Sequence, residues 1–256
     1  MGRRAFSRVF VAIALAALVV CAGAYAISAE LGNFKVSATA TMLPRELPPK
    51  ANAPITLSSI TRIKNKNVSA PEVLDRLEFM LDKNGSIETK GLPVCSLAKL
   101  AETTTKQARK RCAGALVGEG TGKAVVNLPG QAPMEISSPL SFFNAPPTGG
   151  KPTIIAHAYE TVPEPKALLV PIVIERVSKG RYGFRTEIKL PEIADGYGAP
   201  TLAEAKLGKT FKRGGKTVGF INAHCVGGRL QVYGKMTFKS GSFFPTTLTS
   251  PCHSPF

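Results

Sequence analysis

Three stretches of this chain alternate apolar and polar side chains with a period of two, and that period permits little besides β-structure. Leu77, Phe79 and Leu81 fall on one side, with Arg76, Glu78, Met80 and Asp82 on the other. Tyr182, Phe184, Thr186, Ile188 and Leu190 alternate with Arg181, Gly183, Arg185, Glu187 and Lys189. Leu230, Val232, Met236 and Phe238 alternate with Gln231, Tyr233, Lys235, Thr237 and Lys239. Successive side chains of a strand point to opposite faces, so each stretch reads as a strand with one face to bury. Residues 34–42, 55–63, 124–128, 154–159, 168–177, 210–213, 218–224 and 243–249 read as further strands. Asn84-Gly85 follows the first stretch as a hairpin turn. About ten strands with one helical insert predict a mainly β fold, a β-sandwich or an open barrel.

Composition agrees with a packed fold. Apolar residues make up 44% of the 256 and charged residues only 20%, which excludes wholesale disorder. The 24 Gly and 20 Pro follow no period, which excludes collagen and demands many turns. Four of the prolines lie between Pro44 and Pro54, a segment that reads as a linker or an extended crossing. The chain divides into an export segment over 1–26, an N-terminal strand and Pro-rich linker over 27–54, and a β-rich domain over 55–256 with its helical insert at 96–113.

The export segment has three parts. Arg3, Arg4 and Arg8 precede an apolar run from Val9 to Ala24, and Ala24-Tyr25-Ala26 places small residues where a signal peptidase reads them. Arg3-Arg4-Ala5-Phe6-Ser7-Arg8 resembles a twin-arginine signal, departing from it at Gly2 and Ser7. Val9 to Ile27 comes close to the roughly 20 residues that span a bilayer, so an uncleaved anchor is the rival reading. Cys21 as a lipidated cysteine is disfavoured by the bulky Val19-Val20 before it. Cleavage after Ala26 removes Arg3, Arg4 and Arg8 and takes the net charge from +16 to about +13. The segment also implies transient contact with the membrane.

Without Cys21 four cysteines remain, an even number that in an exported chain reads as two disulfides. Three pairings are open, and the simplest joins sequence neighbours, Cys95 to Cys112 and Cys225 to Cys252. The first pair imposes a geometric condition. Residues 96–111 look helical, with Ser96 as cap and Leu97, Leu100, Ala101, Thr104 and Ala108 on one face. A straight helix would hold the two cysteines roughly 25 Å apart, while a disulfide needs Cα atoms within about 7 Å. The helix must therefore break. Thr103-Thr104-Thr105 is the candidate break, with Thr104 and Gln107 as a capping box for a second helix. The expectation is a small helical hairpin closed at its open end. For the second pair, 218–224 runs into Cys225, a turn follows, 229–239 returns, and 243–249 leads to Cys252. In such a meander the two cysteines stand two strands, about 9.6 Å, apart, so the chain after Ser250 must fold back. His224-Cys225 with Cys252-His253 is also a zinc-compatible set, although adjacent His-Cys is not the usual finger spacing.

Most motifs that resemble chemistry are incomplete. Residues 82–87 look like the centre of a calcium loop, but Met80 and Gly91 stand where its first and last acidic ligands belong. Gly118-Glu119-Gly120-Thr121-Gly122-Lys123 lacks both the leading Gly and the trailing Ser or Thr of a phosphate loop, and reads as a flexible approach to a strand. No G-x-S-x-G occurs. His157 falls on a strand pattern with Ile155 and Tyr159, as a structural histidine would. Glu187, Glu192 and Asp195 contain the two carboxylates that glycoside chemistry needs. Asn67-Val68-Ser69 and Asn84-Gly85-Ser86 are sequons. No catalytic residue, metal ligand or cofactor is assigned.

Positive charge is the remaining bulk feature. Lys106, Arg109, Lys110 and Arg111 crowd the end of the second helix, and Lys206, Lys209, Lys212, Arg213 and Lys216 crowd one hairpin. Bases favour a helix C-terminus, and lysines protect strand edges, so both clusters have structural explanations too. The excess still draws the chain toward anionic envelope polymers or lipid headgroups. Nucleic acid is not expected as a partner, since aromatics do not interleave with the bases.

Three stretches together resemble a group of exported, β-rich bacterial proteins of unknown function with a Cys–helical-hairpin–Cys insert. One runs from Gly91-Leu92-Pro93-Val94-Cys95 through Ala108-Arg109-Lys110-Arg111-Cys112 to Val117-Gly118-Glu119-Gly120, another from Gly180-Arg181-Tyr182-Gly183 to Gly196-Tyr197-Gly198, and the third from Lys209-Thr210-Phe211 to Ala223-His224-Cys225. The resemblance spans roughly 55–252 and implies a shared fold and disulfide pattern, with no activity or site to transfer. The functional expectation is a non-enzymatic binding or structural protein of the cell envelope or extracellular space, drawn to anionic partners. The alternatives are a hydrolase of envelope polymers, using His157 or a carboxylate pair, and a carrier of apolar ligands.

Overall fold

The structure is a computed structural model that describes residues 26–67 and 71–254. The export signal, its twin-arginine and anchor readings, and the Cys21 alternative lie outside the described residues, apart from Ala26 and Ile27. Strands in chain order are β1 (Ala26–Leu31), β2 (Phe34–Leu43), β3 (Ala53–Pro54), β4 (Thr56–Asn65), β5 (Leu74–Asp82) and β6 (Gly85–Ile87). Two helices follow, α1 (Leu97–Leu100) and α2 (Thr105–Arg111), and then a 3-10 turn, Ala113–Ala115. The chain continues with β7 (Leu116–Val126), β8 (Met134–Thr148), β9 (Lys151–Glu160), β10 (Lys166–Val173), β11 (Glu175–Lys179) and β12 (Tyr182–Lys189). After a second 3-10 turn, Ala194–Gly196, come β13 (Gly198–Leu207), β14 (Thr210–Arg213), β15 (Lys216–Gly219), β16 (Ile221–Ala223), β17 (Arg229–Phe238) and β18 (Phe243–Pro251).

The fold is mainly β. One sheet has eight strands in the order β1-β2-β4-β13-β7-β8-β9-β10, and a second has five in the order β11-β12-β5-β17-β18. Neither closes on itself. β3-β16-β6 forms a small sheet and β14-β15 a separate hairpin. The two large sheets bury their facing sides against each other, as alternating strands must. Phe34, Val36, Ala38 and Ala40 of β2 and Ile63 of β4 pack on Leu74 of β5, Met236 and Phe238 of β17, and Phe244 and Leu248 of β18. A second cluster joins Val117, Phe142, Ile154 and Ile172 of the larger sheet to Ile188, Leu230 and Val232 of the smaller.

β17 shows the expected alternation, with Leu230, Val232, Met236 and Phe238 buried. β5 departs from it. Met80 and Asp82, on its nominally polar side, are buried, and Asp82 is satisfied there by Arg181, which donates from Nε at 2.8 Å. Asn84-Gly85 turns the chain but makes no hairpin: β6 pairs with β16 instead of β5. Gly85 is not at positive φ, which the favoured two-residue hairpin turns would need there. Segment 218–224 is likewise no neighbour of β17. It splits into β15 and β16 around buried Phe220, and β17 pairs with β5 and β18. The Pro-rich segment 44–54 lies against the C-terminus, with Leu47 buried and its N–H donating to the His253 carbonyl at 2.9 Å.

Two central strands were not legible. β8 carries Pro139, Pro146 and Pro147, and Ser141–Ala145 is buried throughout, so no alternation marks it. β13 holds Pro200 in mid-sheet, where a register shift between Pro200 and Leu202 accommodates the missing donor. The glycine-rich segment 118–123 is no flexible approach but the body of β7. A Cβ at position 120 would lie 1.8 Å from the Glu204 carbonyl oxygen of β13, so only glycine permits the approach.

Candidate functional site

The helical hairpin forms as its geometry requires. α1 stops at Leu100, Glu102 takes φ +55°, and α2 starts at Thr105. The break spans 101–104 and takes in the first two threonines of the run. Thr104 and Gln107 make the capping box: Gln107 N–H donates to Thr104 Oγ1 at 3.3 Å, and Thr104 N–H donates to Gln107 Oε1 at 2.9 Å. Ser96 precedes α1 but makes no side-chain cap bond, and Leu97 and Ala101 of the nominal apolar face are exposed, because a single turn cannot present a continuous stripe. Leu100 and Ala108 are buried. Cys95 and Cys112 are bonded with Cα atoms 5.8 Å apart, and so are Cys225 and Cys252. The second bond needs no two-strand reach. Cys225 lies in the loop before β17, and Cys252 N–H donates to the Gly228 carbonyl at 3.0 Å. With their sulfurs joined, Cys225 and Cys252 cannot serve zinc as thiolates.

The hairpin packs on the outer face of the larger sheet. Phe142 and Ile154 face the sandwich, while their neighbours Phe143 and Ile155 face out and form a third cluster with Cys95, Leu100, Ala108 and Cys112. His157, two residues on from Ile155, is sealed there with no exposed surface. Its Nε2 lies 3.0 Å from the Thr103 carbonyl and 3.2 Å from Thr103 Oγ1. That hydroxyl donates to the Leu100 carbonyl at 2.6 Å, and a carbonyl only accepts, so Nε2 carries the proton. Nδ1 has no hydrogen-bond partner. Burial holds the His157 pKa below the usual histidine value, against the opposing effect of the Thr103 carbonyl and its own. Ser141, opposite His157 in the β8–β9 register, is engaged elsewhere: its Oγ accepts from Arg109 Nε at 2.8 Å.

Each candidate carboxylate is engaged by cations of its own. Glu187 binds Arg76 and Arg185, Glu192 binds Lys239, and Asp195 binds Lys166. No group of three or more His, Cys, Asp or Glu among the described residues is placed to hold a metal ion. An apolar cavity lined by Met42, Ile55, Leu81, Phe184, Ile221 and Val232 has a volume of about 30 Å³, room for about one water. No helix among the described residues is long and apolar enough to cross a membrane.

The basic residues are where the fold adds most. The two clusters, about a hundred residues apart in sequence, are linked through Lys209 and Lys206. Lys209 Nζ donates to the Gly114 carbonyl at 2.5 Å, just beyond the end of α2. Lys206 pairs in register with Glu119, whose carboxylate lies 3.4 Å from Arg109 Nη1. The β14–β15 hairpin, carrying Lys212, Arg213 and Lys216, extends from Lys209, and Arg213 is held by Glu88 at 2.7 Å. Lys106, Lys110, Lys206, Lys212 and Lys216 have no acidic partner among the described residues. Partial burial of Lys209 lowers its pKa from the usual lysine value. Chain order gave no signal that these clusters would adjoin. Only the pairing of β7 with β13 brings them together.

Comparison with protein-family models, with curated proteins and with solved structures finds no match to this chain. The β-rich fold and the two disulfides agree with what the resemblance implied, and none of the comparisons identifies the group. Two disulfides suit an oxidising compartment.

Proposed function

We propose that this chain is an exported, non-enzymatic binding or structural protein of the cell envelope or extracellular space, and that the joined basic face docks it onto anionic partners. The observation that carries this reading is the Lys209–Gly114 bond, which ties the start of the β14–β15 hairpin to the turn that follows α2. Clustered cations on a low-dielectric surface raise the local concentration of anions far more than the same charges dispersed. His157 is sealed from solvent and paired with no carboxylate, so it supplies no support for a hydrolase.

The test is retention on isolated cell envelope and on dextran sulfate beads at low salt and at about 1 M, where the Debye length falls to about 3 Å. The Lys106→Glu/Lys216→Glu variant is compared with Lys35→Glu/Lys64→Glu, which alters two exposed lysines facing each other on β2 and β4. Both variants change net charge equally. Retention lost only in the first variant supports a localised face. Equal loss in both reduces the effect to net charge, and no retention of the unaltered protein at low salt overturns the reading.

A further inference from the structure

Beside the hairpin lies an apolar element that the described residues leave about half exposed. Val94 is 48% exposed and Leu97 45%, although Leu92, Cys95 and Leu100 in the same short segment are buried. Lys99 follows Leu97 closely, and its carbonyl accepts from Arg111 Nη1 at 2.9 Å. Between Lys90 and Gly118 the bases are Lys90, Lys99, Lys106, Arg109, Lys110 and Arg111, and Glu102 is the one acid. The Cys95–Cys112 bond sits between Val94 and Leu97 and ties that segment to the end of α2. The two apolar side chains are therefore presented with much of their ordering entropy already lost.

We propose that Val94 and Leu97 enter the headgroup layer of an anionic bilayer while the surrounding bases hold lipid phosphates. The proposal rests on the basic face being an anion-binding surface, and it selects phospholipid as the anion. A soluble polyanion satisfies the bases but offers Val94 and Leu97 nothing. A bilayer satisfies both, since a surface-lying segment gains from buried apolar area and from charge together.

The probe is flotation with phosphatidylcholine vesicles, with and without phosphatidylglycerol, beside binding to dextran sulfate in solution. The variant is Val94→Ser/Leu97→Ser, checked for unchanged circular dichroism and absence of free thiols, since neither side chain belongs to a core cluster. Burying the exposed half of each side chain is worth about fivefold, so the variant should lose about twenty-fivefold in affinity for the anionic vesicles. Its affinity for dextran sulfate should not change. Vesicle binding that survives the double substitution overturns the insertion and leaves the basic face standing. Failure of the unaltered protein to bind either vesicles or dextran sulfate overturns both. Equal loss toward vesicles and polymer also overturns the insertion, because the polymer has no apolar layer to lose.

Discussion

His157 gives the structure its sharpest test. In an unfolded chain the imidazole takes up a proton near pH 6.5. In the folded chain burial is the largest influence on it and depresses that uptake. The proton would have to enter at Nδ1, which has no hydrogen-bond partner. Arg109 of α2, which donates to Ser141 opposite His157, lies 3.4 Å from Glu119 of β7. Above pH 6.5 both states are neutral and His157 adds no pH dependence. Below it the unfolded chain holds the extra proton, so this residue makes stability fall as pH falls, until the folded pKa is reached. The slope is at most about 1.4 kcal/mol per pH unit. The assay is urea unfolding of the oxidised protein at pH 7.5 to 5.0, a range in which ordinary carboxylates stay ionised. His157→Gln keeps a donor toward the Thr103 carbonyl and abolishes the titration, so its stability should vary less over that range whatever its absolute value. His224 and His253 are unchanged in the variant, and subtraction removes them. A wild-type stability that does not fall between pH 6.5 and 5.0 would refute the argument, as would a slope that His157→Gln retains.

Other expectations come from packing and chain entropy. Replacing Cys95 and Cys112 with Ala should cost about 3 kcal/mol by loop-closure entropy, and replacing Cys225 and Cys252, with a somewhat longer loop, slightly more; urea unfolding of each variant measures this. Gly120→Ala should lower the melting temperature markedly or abolish soluble expression, because its Cβ would meet the Glu204 carbonyl at 1.8 Å; a wild-type melting temperature would contradict the close approach of β7 to β13. Thr104→Ala removes one half of the capping box and should cost about 1 kcal/mol, read from the same unfolding curves.

How much of this was legible depends on where the information resides. The helical break near Thr103 followed from two facts of the chain alone, the spacing of Cys95 and Cys112 and the limited reach of a disulfide. The alternation in β12 and β17 was legible because each has one well-buried face. β8 was not, because the hairpin covers its outer face and the second sheet its inner one, which erases the period. β13 was hidden by Pro200, tolerated only because the neighbouring register shifts.

The amino-acid sequence by itself determined the class of fold, through local periodicity, and the hairpin, through the length of chain between Cys95 and Cys112 once they are joined; which of the three open cysteine pairings forms was decided by the tertiary structure. Which strands lie side by side was a tertiary decision. Sheet order depends on packing between residues far apart in the chain, and no local pattern encodes it. For that reason both basic clusters could be read in one dimension, while their union at Lys209 and Gly114, and the exposure of Val94 and Leu97 beside them, belong to the folded molecule.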